Sequence, residues 1–186
     1  MKIKLPIVRL AFPDLYEATQ VNGQGDFKFR STFLIDKERQ KELINQIEAA
    51  IKKVATEKWG AKAESILKSI RGNNMRFNFR DGDDKPDYDG YPGCMYISAS
   101  NKSRPLVIDR DRTPLTAQDG RPYSGCYVNA TINIFAYDNN GKGISASLAG
   151  VQFFRDGDAF AGGGVASVDD FDDISEGAEA EADIFS

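Results

Sequence analysis

Cys126-Tyr127-Val128-Asn129-Ala130-Thr131-Ile132-Asn133-Ile134-Phe135-Ala136-Tyr137 is the longest alternation in this chain. Successive side chains of a strand point to opposite faces, so Cys126, Val128, Ala130, Ile132, Ile134 and Ala136 share one face. Tyr127, Asn129, Thr131, Asn133, Phe135 and Tyr137 share the other. The first set is a core face, and the second is polar and aromatic. Asn139-Asn140-Gly141 then supplies a hairpin turn, and residues 143–155 return as a last strand.

Residues 27–35 alternate as cleanly, with Phe27, Phe29, Phe33 and Ile35 on an expected core face and Lys28, Arg30 and Thr32 on a basic one. Residues 3–12 read as a first strand, in which Pro6 demands an edge position or a bulge. Met75, Phe77 and Phe79 alternate with Arg76, Asn78 and Arg80, repeating the pattern of aromatic in and basic out. Residues 94–100 place Met95, Ile97 and Ala99 inward and Tyr96 outward, and Leu106-Val107-Ile108 is a short apolar run with basic flanks. Between the second strand and these lies a helical pair. Asp36 is the expected N-cap, followed by Leu43, Ile47, Ala50, Ile51 and Val54 at helical spacing as far as Trp59, where Gly60 interrupts. A second helix over 61–71 turns Ile66, Leu67 and Ile70 inward and stops at Gly72. Such a pair reads as a cap on a sheet.

Sheet, helical insertion at 37–71, then more sheet predicts a mainly β fold, an OB-like small β-barrel over residues 1–160. A β-sandwich satisfies the same alternation. Gly162-Gly163-Gly164 opens a flexible linker into an acidic tail, and residues 169–186 hold eight carboxylates and no Lys or Arg. That stretch cannot bury enough apolar surface to offset its ordering entropy, and it reads as disordered. The chain has 24 Lys and Arg against 28 Asp and Glu, so without the tail's eight acids the body carries 24 basic and 20 acidic side chains. A basic body is tied to an acidic leash, and a tethered polyanion competes with nucleic acid for a cationic surface.

Composition closes several routes. No histidine is present, which removes Ser-His and Cys-His nucleophilic sites, His-ligated zinc and imidazole acid-base chemistry. Cys94 and Cys126 are too few for a disulfide framework and read as reduced core residues. No apolar run approaches the ~20 residues that span a bilayer and no signal-peptide core opens the chain, so a cytosolic protein without membrane contact is expected. Gly141-Lys142-Gly143 lacks P-loop spacing, and no cofactor is expected.

Single-stranded nucleic acid is held by a cationic groove along the phosphates and by aromatic rings on which bases stack. Lys28, Arg30, Arg76 and Arg80 are the basic candidates; Tyr96, Tyr127, Phe135 and Tyr137 are the aromatic ones on strands, and Tyr88 and Tyr91 lie in a long loop that could close over a strand. The bland reading of each, a solvated charge or a cross-strand packing ring, stands beside the functional one. Five carboxylates at Asp81, Asp83, Asp84, Asp87 and Asp89 offer a competing reading, a Mg²⁺- or Ca²⁺-binding loop that would support phosphodiester cleavage. Lys85 sits where a cation-binding loop starting at Asp81 wants an oxygen ligand, which favours an acidic, solvated loop. At the other end, Asp183, Ile184 and Phe185 place an apolar pair beside a carboxylate, suited to a partner's hydrophobic pocket flanked by Lys or Arg.

Val8-Arg9-Leu10-Ala11-Phe12-Pro13-Asp14-Leu15, Tyr91-Pro92-Gly93, Tyr123-Ser124-Gly125-Cys126-Tyr127-Val128-Asn129-Ala130, Gly141-Lys142-Gly143-Ile144-Ser145-Ala146-Ser147-Leu148 and Asp156-Gly157-Asp158 occur in an order that resembles the OB-fold single-stranded DNA-binding proteins of tailed bacteriophages. The resemblance runs from about residue 7 to residue 160. The tail separately resembles the acidic, aromatic-ended tails of bacterial and phage single-stranded DNA-binding proteins, which end at or next to a phenylalanine; here Ser186 follows Phe185. The resemblance implies a non-enzymatic protein of phage DNA replication or recombination, in the cytoplasm of an infected bacterium. Its expected partners are single-stranded DNA, duplex DNA through the same phosphate term, and replication or recombination proteins at the tail; a homo-oligomer is left open. The alternatives are a metal-dependent nuclease built on residues 81–89 and a protein-only scaffold or inhibitor whose outer aromatic strand is an interface.

Overall fold

The computed structural model describes residues 1–160 together with Phe171, Asp172 and Ile174. The linker glycines and Asp183, Ile184 and Phe185 lie outside the described residues.

The alternating stretches form strands, but the first runs on to Val21 instead of ending at residue 12, and of the alternation at 75–80 only Phe79 and Arg80 enter a strand. Strand β1 spans Lys2–Val21, β2 Gln24–Asp36, β3 Phe79–Asp81, β4 Cys94–Asn101, β5 Leu106–Ile108, β6 Tyr127–Asp138 and β7 Lys142–Arg155. They join in the order β3-β4-β2-β1-β6-β7-β5, and a parallel contact of Ser100 with Ser147 brings β4 back to β7. Five strands, β1, β2, β4, β7 and β6, therefore close into a small barrel of the OB type. Inside it Leu5, Phe33, Ile35, Ile97, Ile132, Ile134 and Ile144 are essentially inaccessible to solvent. Each such side chain contributes roughly 1.5–3 kcal/mol by burial.

Pro6 sits at a bulge, where the β1–β6 register slips between Leu5 and Val8, in a stretch of β1 whose pairing with β2 begins only at Arg9. Gln40 Nε2 donates to the Pro6 carbonyl at 3.0 Å and Asn129 Oδ1 accepts from the Ile7 amide at 2.9 Å, so the groups freed from the ladder are partnered.

Helix α1 spans Lys41–Trp59 and α2 spans Ala63–Ile70. Their buried residues, Leu43, Ile47, Ala50, Ile51 and Val54 on α1 and Ala63, Leu67 and Ile70 on α2, join the barrel core as the periodicity predicts. Ile66 is only half-buried. Asp36 does not cap α1. Its Oδ1 accepts from the amides of Glu38 and Arg39 at 2.9 and 3.0 Å, capping a turn that delays the helix to Lys41. Among the described residues no helix is long and apolar enough to cross a membrane.

Two expected core residues are exposed. Phe27, 60% exposed, lies where β1 and β2 run on past the barrel as a two-stranded arm. Met75, 84% exposed, belongs to the turn after α2, before the alternation into β3 begins. Cys126 is buried as expected, whereas Cys94 is half-buried; both are free thiols.

Candidate nucleic-acid interface

The outer face of β2 and β4 carries the site. Strand pairing sets Arg30 opposite Ser100, Thr32 opposite Ser98, and Leu34 opposite Tyr96, so polar rungs give way to apolar ones along the same face. Over the polar rungs lies an open cleft of about 290 Å³. Arg30, Thr32, Ser98 and Ser100 form its floor, Asn78 and Met75 one wall, Tyr137 and Ser145 the other, and Phe12 its end. The cleft runs between the outer strand pair and the β6–β7 hairpin, the region with which OB-folds grip oligonucleotides.

Each wall is held from the backbone. Tyr137 is paired with Gly143, and a Cβ on that glycine would lie 2.3 Å from the phenol, so only glycine lets the ring fold across the strand. The Tyr137 hydroxyl donates to the Met75 carbonyl at 3.3 Å. Arg76 donates to the Asn140 carbonyl, tying the residues before β3 to the β6–β7 hairpin. Arg30 Nη2 donates to the Thr19 carbonyl at 2.7 Å, while its buried Nε has no protein acceptor. Nε and Nη1 of Arg80 are likewise buried without a protein partner. Buried donors left unpaired cost about 1–3 kcal/mol each, which for Arg30 an anionic oxygen or water in the cleft would offset, whereas Arg80 lies opposite Tyr96 and does not line the cleft.

Beyond Phe12 the same face is roofed. Residues 82–93 lie over it, and Ala11, Leu34, Tyr91 and Tyr96 make a second apolar cluster outside the barrel. Tyr96 does point outward, but this roof leaves it 8% exposed, and Tyr91 is 3% exposed. Burial pushes the Tyr91 phenol up to about 12. Neither ring offers a free face for stacking in this conformation. Tyr88, 45% exposed, packs edge-on against Phe12 at 5.6 Å and Tyr91 at 5.3 Å, and with Phe12 it borders a second hollow of about 660 Å³.

The structure thus brings Arg30 and Tyr137 to one cleft, with Arg76 at its hairpin rim and Tyr88 beyond Phe12. Phe135, 41% exposed, flanks Tyr137 at 6.4 Å. Lys28 lies further along β2, opposite Thr19 on the arm. Tyr127 lies apart at the far end of β6, clamped between the guanidinium groups of Arg9 and Arg155 at 5.6 and 4.5 Å. Phe12 is absent from the sequence-based candidates. It is 52% exposed with a φ of 48°, a left-handed conformation that a bulky side chain rarely adopts, at a break in the β1–β2 register. Its place before Pro13, within the first strand, is the one signal the sequence offers. Such strain at a groove is characteristic of a residue held out for a ligand.

The acidic loop is organised around a lysine. Lys37 Nζ contacts Asp81 Oδ1 at 2.6 Å and Asp83 Oδ2 at 2.7 Å, and Asp83 Oδ1 accepts from the Gly93 amide at 2.8 Å. The lysine and that amide hold the Asp83 carboxyl below its ordinary value. Among the described residues no group of three or more acidic or cysteine side chains converges as a metal ion requires.

Residues 1–184 match a family described as the single-stranded DNA-binding protein of Enterobacter phage Enc34. Protein p50 of Acyrthosiphon pisum secondary endosymbiont phage 1 is 68% identical over 182 residues, covering 97% of this chain and 98% of that protein. Among solved structures, the single-stranded DNA-binding protein of bacteriophage Enc34 in complex with single-stranded DNA superposes with a TM-score of 0.74 at 25% identity, over 85% of this chain and 88% of that one. The single-stranded DNA-binding protein gp2.5 of bacteriophage T7 shares the fold, with a TM-score of 0.54 at 12% identity over 89% of this chain and 97% of that one.

Proposed function

The chain belongs to the Enc34 single-stranded DNA-binding protein family, and from that premise we propose that it binds single-stranded DNA in the cleft between the outer face of β2 and β4 and the β6–β7 hairpin, in phage DNA replication and recombination. The observation that carries this reading is the cleft itself, in which cationic, hydroxyl and aromatic side chains meet on the open part of the outer β2–β4 face. Arg30 neutralises phosphate with Arg76 and Arg80 at the margins, and Phe12 and Tyr137 supply stacking faces with Phe135 and Tyr88 alongside. Hydroxyls of Thr32, Ser98 and Ser100 accept or donate to whatever base edge they meet, so sequence preference is slight. Binding displaces counterions and weakens steeply with salt.

Residues 1–160 are the DNA-binding unit; residues 161–186 are a linker and acidic tail that opposes DNA binding and recruits replication or recombination proteins. Duplex DNA binds more weakly through the phosphate term alone, and further copies coat longer strands. The protein works in the cytoplasm of the infected bacterium. An anisotropy titration of labelled oligothymidylate, against a duplex control, tests the reading with the full chain and with Arg30→Gln. Single-strand binding that the substitution weakens is expected. Equal affinity of the two proteins would move the site elsewhere, and no binding at low salt would overturn DNA binding altogether.

A further inference from the structure

The net positive charge of the body does not come from the cleft and its surroundings. Residues 37–71 hold nine Lys and Arg against five Glu, whereas the rest of residues 1–160 holds 15 of each sign. The whole excess therefore rides on the helical insertion. Lys52, Lys53, Lys58, Lys62 and Lys68 are exposed, and none has a carboxylate within 4.0 Å among the described residues. Arg71 is different, since it is paired with Glu48 at 2.8 Å.

Between α1 and α2 runs a groove of about 570 Å³ whose floor is Ala49, Ala63 and Leu67 and whose α1 bank carries Lys52 and Lys53. Lys68 borders the adjoining hollow with Lys52. Glu57 and Glu64 also line the groove, so its field is mixed at close range and positive overall. An apolar floor beside unpaired ammonium groups suits an anionic peptide with apolar side chains better than a bare phosphate backbone. The chain carries one such peptide: residues 169–186 have eight carboxylates and end in Asp183-Ile184-Phe185-Ser186. Twenty-six residues separate Phe160 from the terminus, a reach of at most ~90 Å when extended, which spans a domain of this size.

We propose that the groove between α1 and α2 is the docking site of this chain's own acidic C-terminal segment, with Ile184 and Phe185 on the apolar floor and the carboxylates among Lys52, Lys53 and Lys68. The tail then opposes DNA by neutralising the insertion's charge from a distance, and the cleft stays open. Partner proteins that capture the tail compete with the helices for it.

Residues 1–160 contain every helix and strand and both apolar clusters found among the described residues, so a chain ending at Val168 retains the fold. A labelled peptide of residues 169–186 is titrated into that chain, into its Lys52→Glu/Lys53→Glu variant, and into the complex with a short oligothymidylate. Binding that falls at least tenfold in the variant and persists with saturating oligonucleotide is expected. A peptide carrying Ile184→Ser and Phe185→Ser should lose affinity comparably. Stoichiometric displacement by the oligonucleotide with full affinity for the variant would place the tail in the cleft and overturn the proposal, as would no binding at low salt. Direct titration of labelled oligonucleotide shows independently whether DNA binding itself holds.

Discussion

At the scale of single residues, Phe12 separates binding from stability. Its left-handed backbone is costly for a bulky side chain, by roughly 1–2 kcal/mol, and glycine adopts the same conformation freely. Phe12→Gly loses edge-on contacts with Tyr88 and Tyr91 that contribute about 0.5–1.5 kcal/mol each, so the two effects nearly offset. Thermal unfolding should leave the midpoint within a few degrees of the parent. Affinity for oligothymidylate should drop by about 1–3 kcal/mol if a base stacks on the ring. A large loss of stability with unchanged affinity would make Phe12 a packing residue. Little of this was legible in the sequence, because alternation places Phe12 with its strand and gives no sign of the bulge that turns it outward. Arg30 and Tyr137 were legible, since each sits in a long unbroken alternation whose apolar face is spoken for. Tyr96 was legible as outward-pointing and Tyr91 as part of a loop that could close, but pattern does not show that the loop closes onto Tyr96 and buries both rings.

Among the elements, the roof formed by residues 82–93 covers the outer face beyond Phe12. A Cβ on Gly82 would stand 2.1 Å from the Tyr91 carbonyl and 2.5 Å from that of Cys94, and neither backbone group can step aside cheaply. Gly82→Ala should therefore cost about 1–3 kcal/mol and expose Tyr91 and Tyr96, read as faster amide exchange over the roof. Alkali should act on the same element. Tyr91 is pushed up to about 12 by burial, so the folded state keeps a proton that the unfolded chain releases near pH 10. Stability is then constant below pH 10 and falls as pH rises toward 12, by about 2–3 kcal/mol for this group. Denaturant midpoints for the parent and Tyr91→Phe across pH 9–12 should diverge, the variant losing less. Acid acts oppositely through Asp83, whose lowered carboxyl holds the Lys37 pairing above the ordinary aspartate range and releases it as pH falls through the folded value. The sequence showed five acids here but not their lysine, which lies 44 residues before Asp81. Nor could spacing show that Asp36 caps a turn and not the helix.

For the molecule as a whole, the alternation from Cys126 to Tyr137 identified the barrel wall, and the helical spacing identified its cap. Closure was less legible, because the β4–β7 contact that completes the ring is a single parallel pair, Ser100 with Ser147, with no signature in either strand. Charge was legible in amount and not in place: the sequence separates a basic body from an acidic end, and the fold puts the excess on the helices, off the cleft. That placement decides what removal of residues 169–186 should do. The net charge changes from four negative to four positive, as 24 basic side chains come to face 20 acidic ones. A long-range field of this kind alters affinity for a polyanion without altering any contact in the cleft. The chain ending at Val168 should thus bind oligothymidylate more tightly than the full chain at low salt. The advantage should shrink as the screening length falls from ~10 Å at 0.1 M to ~3 Å at 1 M, leaving equal affinities at high salt. Anisotropy titrations of both chains across that range measure the ratio directly. A ratio independent of salt would indicate a tail wedged in the cleft by contact, and a ratio of one throughout would remove any opposition between tail and DNA.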